Sequence, residues 1–136
     1  MQYTPKFSEI ADRYDAVLSD VWGVIRDGHA MLPDAVDALR RFRETRGPVI
    51  LISNSPQPAP RVAAQLKEMG APDDAWDGIV TSGDTTLAAI RELGPGPVFH
   101  IGPSGYDDAL FEHADLERAP LEDAAYVVCT GLNFDR

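Results

Sequence analysis

The residue best placed to do chemistry is Asp20. The apolar run Ala16-Val17-Leu18 leads into Ser19-Asp20 and then Val21-Trp22-Gly23-Val24, so a carboxylate stands where a buried strand stops and a glycine turn begins. A carboxylate in that place stands where open α/β sheets keep their ligands, or else caps its own turn. Polar clusters close other apolar runs in the same manner. Ser53-Asn54-Ser55 follows residues 48–52, Ser82-Gly83-Asp84 follows residues 78–81, and Gly102-Pro103-Ser104-Gly105 follows residues 97–101. An anionic ligand of so acidic a chain would need local help, from a metal ion or from backbone N–H groups at helix starts.

The elements that must carry these residues can be read from periodicity. Residues 4–14 read as a short amphipathic helix, with Thr4-Pro5 as cap and first turn and Phe7, Ile10, Ala11 and Tyr14 on one face. The first strand runs to Asp20, and residues 24–31 form a loop or small hairpin flap. A helix capped by Asp34 then buries Val36, Leu39 and Phe42, turns Arg40, Arg41, Arg43 and Glu44 to solvent, and stops at Gly47. Residues 59–69 give a second helix, with Val62, Leu66 and Met69 inward and Gly70 as its stop; Trp76 in the connector is a core or rim aromatic. A helix capped by Asp84 carries Leu87, Ile90 and Leu93, a short helix covers residues 106–113, and residues 124–130 form a fifth strand.

Strands alternating with helices imply an α/β fold: a Rossmann-like parallel sheet of right-handed βαβ units with helices on both faces. All carboxyl ends of such a sheet share one edge, where ligands bind. Asp20, Ser53, Ser82 and Gly102 are expected on that edge, with Asp20 and Ser53 on adjacent strands facing one polar pocket.

Composition removes several classes of function. With 136 residues the chain suits one domain with one core, and its net charge of −10 leaves no basic block to neutralise a nucleic-acid backbone. No apolar run reaches membrane-spanning length, and the N-terminal stretch carries Lys6, Glu9, Asp12 and Arg13 where a signal peptide would be apolar. Cys129, the only cysteine, lies in an apolar run and reads as a core residue of a reducing compartment, so a soluble cytoplasmic protein is expected. His29, His100 and His113 show no ligand spacing. The glycines between 94 and 105 lack the G-x-G-x-x-G order of a dinucleotide site, and Asp107-Asp108 reads as a charge pair at a helix start.

Taken together, Tyr14-Asp15-Ala16-Val17-Leu18-Ser19-Asp20-Val21-Trp22-Gly23-Val24, Ile50-Leu51-Ile52-Ser53-Asn54-Ser55 and Ile79-Val80-Thr81-Ser82-Gly83-Asp84 resemble the haloacid dehalogenase-like hydrolase superfamily, in its NagD-like, nitrophenylphosphatase-type branch. The resemblance implies that Asp20 is a nucleophile forming an aspartyl-phosphate. It implies that Ser53, with Asn54 beside it, holds a phosphoryl oxygen, and that Gly23 leaves room for the turn. It also implies that magnesium sits on the Asp20 carboxylate and the Trp22 backbone carbonyl, and that the substrate is a small phosphorylated molecule.

This sequence departs from that pattern twice. Phosphatases of the superfamily place a general-acid Asp two residues after the nucleophile, and here Trp22 stands there. An indole cannot deliver that proton, a contribution of roughly 10²–10⁴ in rate. The superfamily also supplies a later Lys or Arg and a Gly-Asp metal motif, both after a cap domain. Lys6 and Lys67 lie on expected helices, and Gly83-Asp84 is better explained as a helix cap than as that motif. Residues 1–136 therefore read as the N-terminal part of a core domain ending near a cap, expected to be inactive alone. The exposed flank of the first strand is expected to favour self-association. The alternative is a non-catalytic or strongly impaired binding or regulatory relative. A phosphoacceptor receiver domain fits less well, because its adjacent acids and strand-end lysine are missing.

Overall fold

Short apolar runs bounded by glycine, proline and polar residues become strands, and the 3.6-residue patterns between them become helices. The protein's structure is a computed structural model and describes residues 6–103, 105 and 107–131. In chain order the elements are α1 (Phe7–Ile10), a 3-10 turn (Ala11–Arg13), β1 (Val17–Asp20), α2 (Pro33–Thr45), β2 (Val49–Ser53), α3 (Ala59–Glu68), β3 (Gly78–Thr81), α4 (Ser82–Leu93), β4 (Val98–Ile101), α5 (Asp108–Ala114), a 3-10 turn (Leu121–Asp123) and β5 (Tyr126–Cys129). This is the expected α/β alternation. The expected N-terminal helix gives way to a 3-10 turn after Ile10, and its Thr4-Pro5 cap lies outside the described residues. Among the described residues, no helix is long and apolar enough to cross a membrane.

Among the described residues the strands pair as a three-stranded ladder in the order β1-β2-β3 and as a parallel pair, β4-β5. The chain correspondingly divides into two compact units, one holding residues up to Ser53 with Ala63–Val80, the other Asn54–Val62 with Thr81 onward.

In the first unit β1 and β2 run parallel, with Val17 opposite Val49, Leu18 opposite Ile50, Ser19 opposite Leu51 and Asp20 opposite Ile52. Partners across a parallel register share a face. Ser19 and Leu51 are buried, whereas Leu18 is 69% exposed and Ile52 is also exposed. β1 ends the order of its ladder, so among the described strands it is paired on one side only. Helix α2 starts on Leu32 in extended conformation with Pro33 in the first turn, and no side chain caps it. Asp34 therefore sits in the first turn beside the helix dipole rather than at the cap. Val36, Leu39 and Phe42 are buried as the periodicity requires.

The arginines of α2 are not simply a solvated face. Arg40 holds Asp74 with two hydrogen bonds of 2.8 and 2.6 Å, and Arg43 donates to Asp77 at 2.7 Å. Asp77 also accepts from the Val49 N–H at 2.9 Å, while its own N–H donates to the Val49 carbonyl at 2.8 Å. That reciprocal clasp fixes the start of β3 against the start of β2. The Val49 N–H, and then Arg43, hold the Asp77 carboxyl below its usual range, and Arg40 does the same for Asp74.

The second unit has its own core, in which Leu87, Ile90, Val98, Leu110, Phe111 and Val128 cluster. β4 and β5 pair with Val98 opposite Tyr126 and Ile101 opposite Cys129. Val128 faces that core, so period-2 alternation turns Val127 and Cys129 outward, and Cys129 is exposed rather than buried as its apolar run suggested. Thr81, not Asp84, is the N-cap of α4: its hydroxyl oxygen accepts from the Asp84 N–H at 3.0 Å and its O–H donates to Asp84 Oδ2 at 2.8 Å. Asp84 also accepts from the Ala59 N–H, so its carboxylate serves the starts of two helices.

Candidate active site

Asp20 closes β1, and its position follows from the strand. Val17 and Ser19 are drawn toward the interior, which leaves Leu18 and Asp20 on the outward face, and the chain turns immediately afterwards. The N–H of Val21 donates to Asp20 Oδ1 at 2.7 Å, and the Ser19 hydroxyl donates to the Asp20 carbonyl at 2.9 Å. One carboxylate oxygen is thereby held by the backbone of the turn that follows it.

The turn opens into the expected flap. Gly23 adopts φ +75°, a conformation glycine takes without strain, and its N–H donates to the Arg26 carbonyl at 2.7 Å. Val21 and Ile25 are fully buried and anchor the flap. The Val21 carbonyl accepts from the Ile25 and Arg26 N–H groups, and an antiparallel bridge joins Arg26 to Met31. At the tip, Asp27 Oδ1 accepts from the N–H groups of His29 and Ala30, which pull the Asp27 carboxyl below its usual range. Trp22 is 57% exposed, with the Arg26 guanidinium 4.7 Å from its ring centroid.

Ser53 closes β2, the strand beside β1, so the two residues singled out share one carboxyl edge. The register offsets them by one residue: Asp20 is opposite Ile52, which places Ser53 with the alternate set that includes Val49 and Leu51. What the two residues share is the rim at the carboxyl ends of adjacent strands, reached from alternate register positions. Asn54 begins the first segment of the second unit, and Ser82 and Gly102 also belong to that unit. A cleft of about 600 Å³ lies between the N-terminal turn and α2, lined by Phe7, Ala11 and Phe42 among others, and includes none of Asp20, Trp22 or Ser53.

For a hard cation, the chain offers at this edge the Asp20 carboxylate and the Trp22 carbonyl, on which none of the described flap hydrogen bonds ends. Two oxygens suit magnesium, which keeps several waters and takes few protein ligands. Among the described residues no three His, Cys, Asp or Glu side chains converge, so these two oxygens do not by themselves make up a full ligand set. Neither lysine is positioned as a replacement for the missing cation: Lys67 is paired with Asp73 at 2.6 Å, and Lys6 precedes α1.

Two groupings were not foreseen from the sequence. The first is Arg26, which lies over Trp22 and donates to Met69 Sδ at 3.4 Å; an arginine in a flap gives no advance sign of its partners. The second lies in the other unit, where Asp107 is fully buried rather than a surface charge. Thr130 Oγ1 donates to Asp107 Oδ2 at 2.5 Å and lies 2.7 Å from His100 Nε2, while Asp107 Oδ1 has no hydrogen-bond partner among the described residues. The His100 ring packs on Phe111 at 4.6 Å, and burial, followed by Arg118, pushes its pKa down against the pull of Asp107 and Asp108. These residues are 7 to 30 positions apart, so no local motif announced them.

The family model described as haloacid dehalogenase-like hydrolase matches residues 17–116. No curated protein matches the chain. Among solved structures, a haloacid dehalogenase-like hydrolase from Brucella suis 1330 is 42% identical with a TM-score of 0.84, over 97% of this chain and 50% of that one. A p-nitrophenyl phosphatase from Archaeoglobus fulgidus is 25% identical with a TM-score of 0.68, over 90% of this chain and 46% of that one. A glycerol phosphate phosphatase from Mycobacterium tuberculosis, solved in complex with calcium, is 27% identical with a TM-score of 0.65, over 93% of this chain and 38% of that one. The chain thus spans about half the length, or less, of the solved structures it resembles. With more than half its residues matched by that family model, and with Asp20 and Ser53 closing adjacent strands, the chain belongs to the haloacid dehalogenase-like hydrolases.

Proposed function

We propose that these residues are the N-terminal, phosphoryl-accepting part of a hydrolase acting on a small phosphorylated molecule, with Asp20 as nucleophile. The observation that carries this reading is the placement of Asp20 at the end of β1, one register step from Ser53 at the end of β2. A phosphoryl group seated over that rim is reached from both strands. The Val21 N–H occupies Asp20 Oδ1, which orients the carboxylate and leaves Oδ2 to attack. A bond forms between Oδ2 and phosphorus, the bond from phosphorus to the leaving oxygen breaks, and that oxygen departs with the electron pair. Water then cleaves the acyl phosphate, releasing inorganic phosphate and restoring Asp20.

Ser53 donates its hydroxyl proton to a phosphoryl oxygen, with Asn54 as its neighbour in sequence. The Asp20 carboxylate and the Trp22 carbonyl would hold magnesium, which when bound offsets the repulsion between carboxylate and phosphate. Trp22 cannot protonate the leaving oxygen, so departure depends on how well that oxygen bears negative charge. The relatives named as phosphatases of nitrophenyl phosphate and glycerol phosphate support the substrate class.

Trp22 also favours a second reading, in which the chain binds a phosphorylated ligand without turnover. Hydrolysis of 4-nitrophenyl phosphate with magnesium, measured on the longer protein of which these residues are proposed to be the N-terminal part, separates the two. The hydrolase reading expects release of nitrophenol that falls to background in Asp20→Asn, and the binding reading expects saturable phosphate binding with no release. Release that survives Asp20→Asn removes the nucleophile assignment.

A further inference from the structure

Ser82-Gly83-Asp84 follows β3 as Ser53-Asn54-Ser55 follows the apolar run of β2, and the later triplet takes no part in the chemistry proposed above. Helix α4 does not need the Asp84 carboxylate as its cap, because the Thr81 hydroxyl oxygen already accepts from the Asp84 N–H at 3.0 Å. The carboxylate turns instead to a segment 25 positions earlier. Both of its oxygens accept from the Ala59 N–H, at 3.3 and 3.1 Å, and the Thr81 hydroxyl fixes its orientation by donating to Oδ2 at 2.8 Å. Gly83 holds the same segment through its backbone. Its N–H donates to the Ser55 carbonyl at 3.1 Å. A Cβ on Gly83 would collide with the Pro56 carbonyl and stand 2.9 Å from the Gln57 carbonyl oxygen, so only glycine allows this approach. Residues 54–58 belong to no helix or strand, and within them the Ser55 hydroxyl oxygen accepts from the Gln57 N–H at 3.1 Å. This is the loop that leaves Ser53.

We infer that Gly83 and Asp84 are positioning residues for the phosphoryl site: they clamp the loop of residues 54–58 and so set where Ser53 and Asn54 present their polar groups. The inference rests on the aspartyl-phosphate reading above and adds the residues that hold its oxyanion-binding side in place. A hydrogen-bond donor serves an oxyanion best when it is already in position as the charge arrives. A loop without a ladder or helix of its own must otherwise be ordered at the moment of binding, which weakens binding by the entropy lost. Ser53 is fixed from one side as the last residue of β2. From the other side its loop is fixed at Ser55 and Pro56 by Gly83 and at Ala59 by Asp84. A carboxylate suits this task, since one group accepts from both Ala59 and Thr81 while its charge complements the first turns of α3 and α4.

The test is calorimetric titration of the full chain with inorganic phosphate and magnesium, paired with melting temperatures. Asp84→Ala weakens phosphate binding roughly 2- to 10-fold, the size of one hydrogen bond lost from Ser53. Ala59→Pro gives the same loss and serves where Asp84→Ala does not fold: it removes only the N–H, at a first helical position where proline is tolerated. Three further results separate positioning from a merely structural role. In a Ser53→Ala background Asp84→Ala brings no further loss, because it acts through that hydroxyl. Asp84→Asn, whose amide oxygen still accepts from Ala59, keeps most of the parent affinity. Leu87→Ala, a core truncation in the same helix, lowers the melting temperature and leaves phosphate affinity unchanged. Parent affinity in Asp84→Ala or Ala59→Pro, additive losses with Ser53→Ala, or an equal loss in Leu87→Ala overturns the inference and leaves the phosphoryl site standing. Phosphate binding that is absent in the parent, or indifferent to Ser53→Ala, overturns the phosphoryl-site reading and this inference with it.

Discussion

Replacing Thr130 by valine removes one hydroxyl and almost no volume, and the structure gives the consequence a size. Asp107 is 1% exposed, its Oδ1 has no partner among the described residues, and its Oδ2 is reached by the Thr130 hydroxyl at 2.5 Å. Thr130→Val therefore removes from a buried carboxyl group the side-chain hydrogen bond described for it, a loss of about 1–3 kcal/mol. His100 is only partly buried, so water can replace the acceptor it loses and adds little to the total. For a chain of this length the expected fall in unfolding temperature is roughly 4–12 °C. Circular dichroism melts at pH 7.5 would read it. Two controls fix the cause: Thr130→Ser keeps the hydroxyl and should lose well under half as much, and Thr130→Val with Asp107→Val should recover part of the loss, because removing both partners is cheaper than orphaning one. A Thr130→Val melt within a degree of the parent, or a Thr130→Ser loss equal to it, would refute the claim that the hydroxyl holds Asp107.

The remaining predictions concern pH, close packing and the flap. His100 has a folded pKa below its unfolded value, so its neutral form is favoured on folding; that contribution is present above about pH 6.5 and is lost as pH falls through the folded pKa. Urea midpoints should decline from pH 7 to pH 5, and His100→Gln should flatten the decline; Asp74 and Asp77, held below their ordinary value of 3.8, act only at more acidic pH. A Cβ at Gly47 would run into the Asp15 carbonyl oxygen, so Gly47→Ala should cost about 1–3 kcal/mol in urea unfolding, and an unchanged midpoint would show that the β1 lead-in can yield. In the complete protein, Trp22→Asp should raise kcat/KM for alkyl phosphates by up to roughly 10²-fold and change aryl phosphates far less; equal effects on the two classes would mean that Trp22 acts through shape or packing alone.

How much was legible follows from the range over which each residue's partner lies. β1, β2 and α2 were readable because their signals are local: an apolar run ending in Asp20, a second ending in Ser53, and Val36, Leu39 and Phe42 at helical spacing. The caps of α2 and α4 were misassigned to Asp34 and Asp84 by the general preference for acids there. Pro33 fixes the first turn of α2 from Leu32, and Thr81 can cap while still ending its strand. Arg40 and Arg43 looked solvated because their acceptors, Asp74 and Asp77, come 34 residues later. An apolar run shows that β5 is buried on some face but not which, so Cys129 was put inside when Val128 takes that place.

The central claim is that Asp20 accepts the phosphoryl group, and single-turnover labelling tests it without requiring turnover. The chain is incubated with magnesium and acetyl phosphate, quenched in acid, and mapped by peptide mass spectrometry. The account predicts an acid-stable, hydroxylamine-labile phosphoryl adduct on Asp20 that disappears in Asp20→Asn and persists in Asp84→Asn. An adduct on any other carboxylate, or one that survives Asp20→Asn, contradicts it.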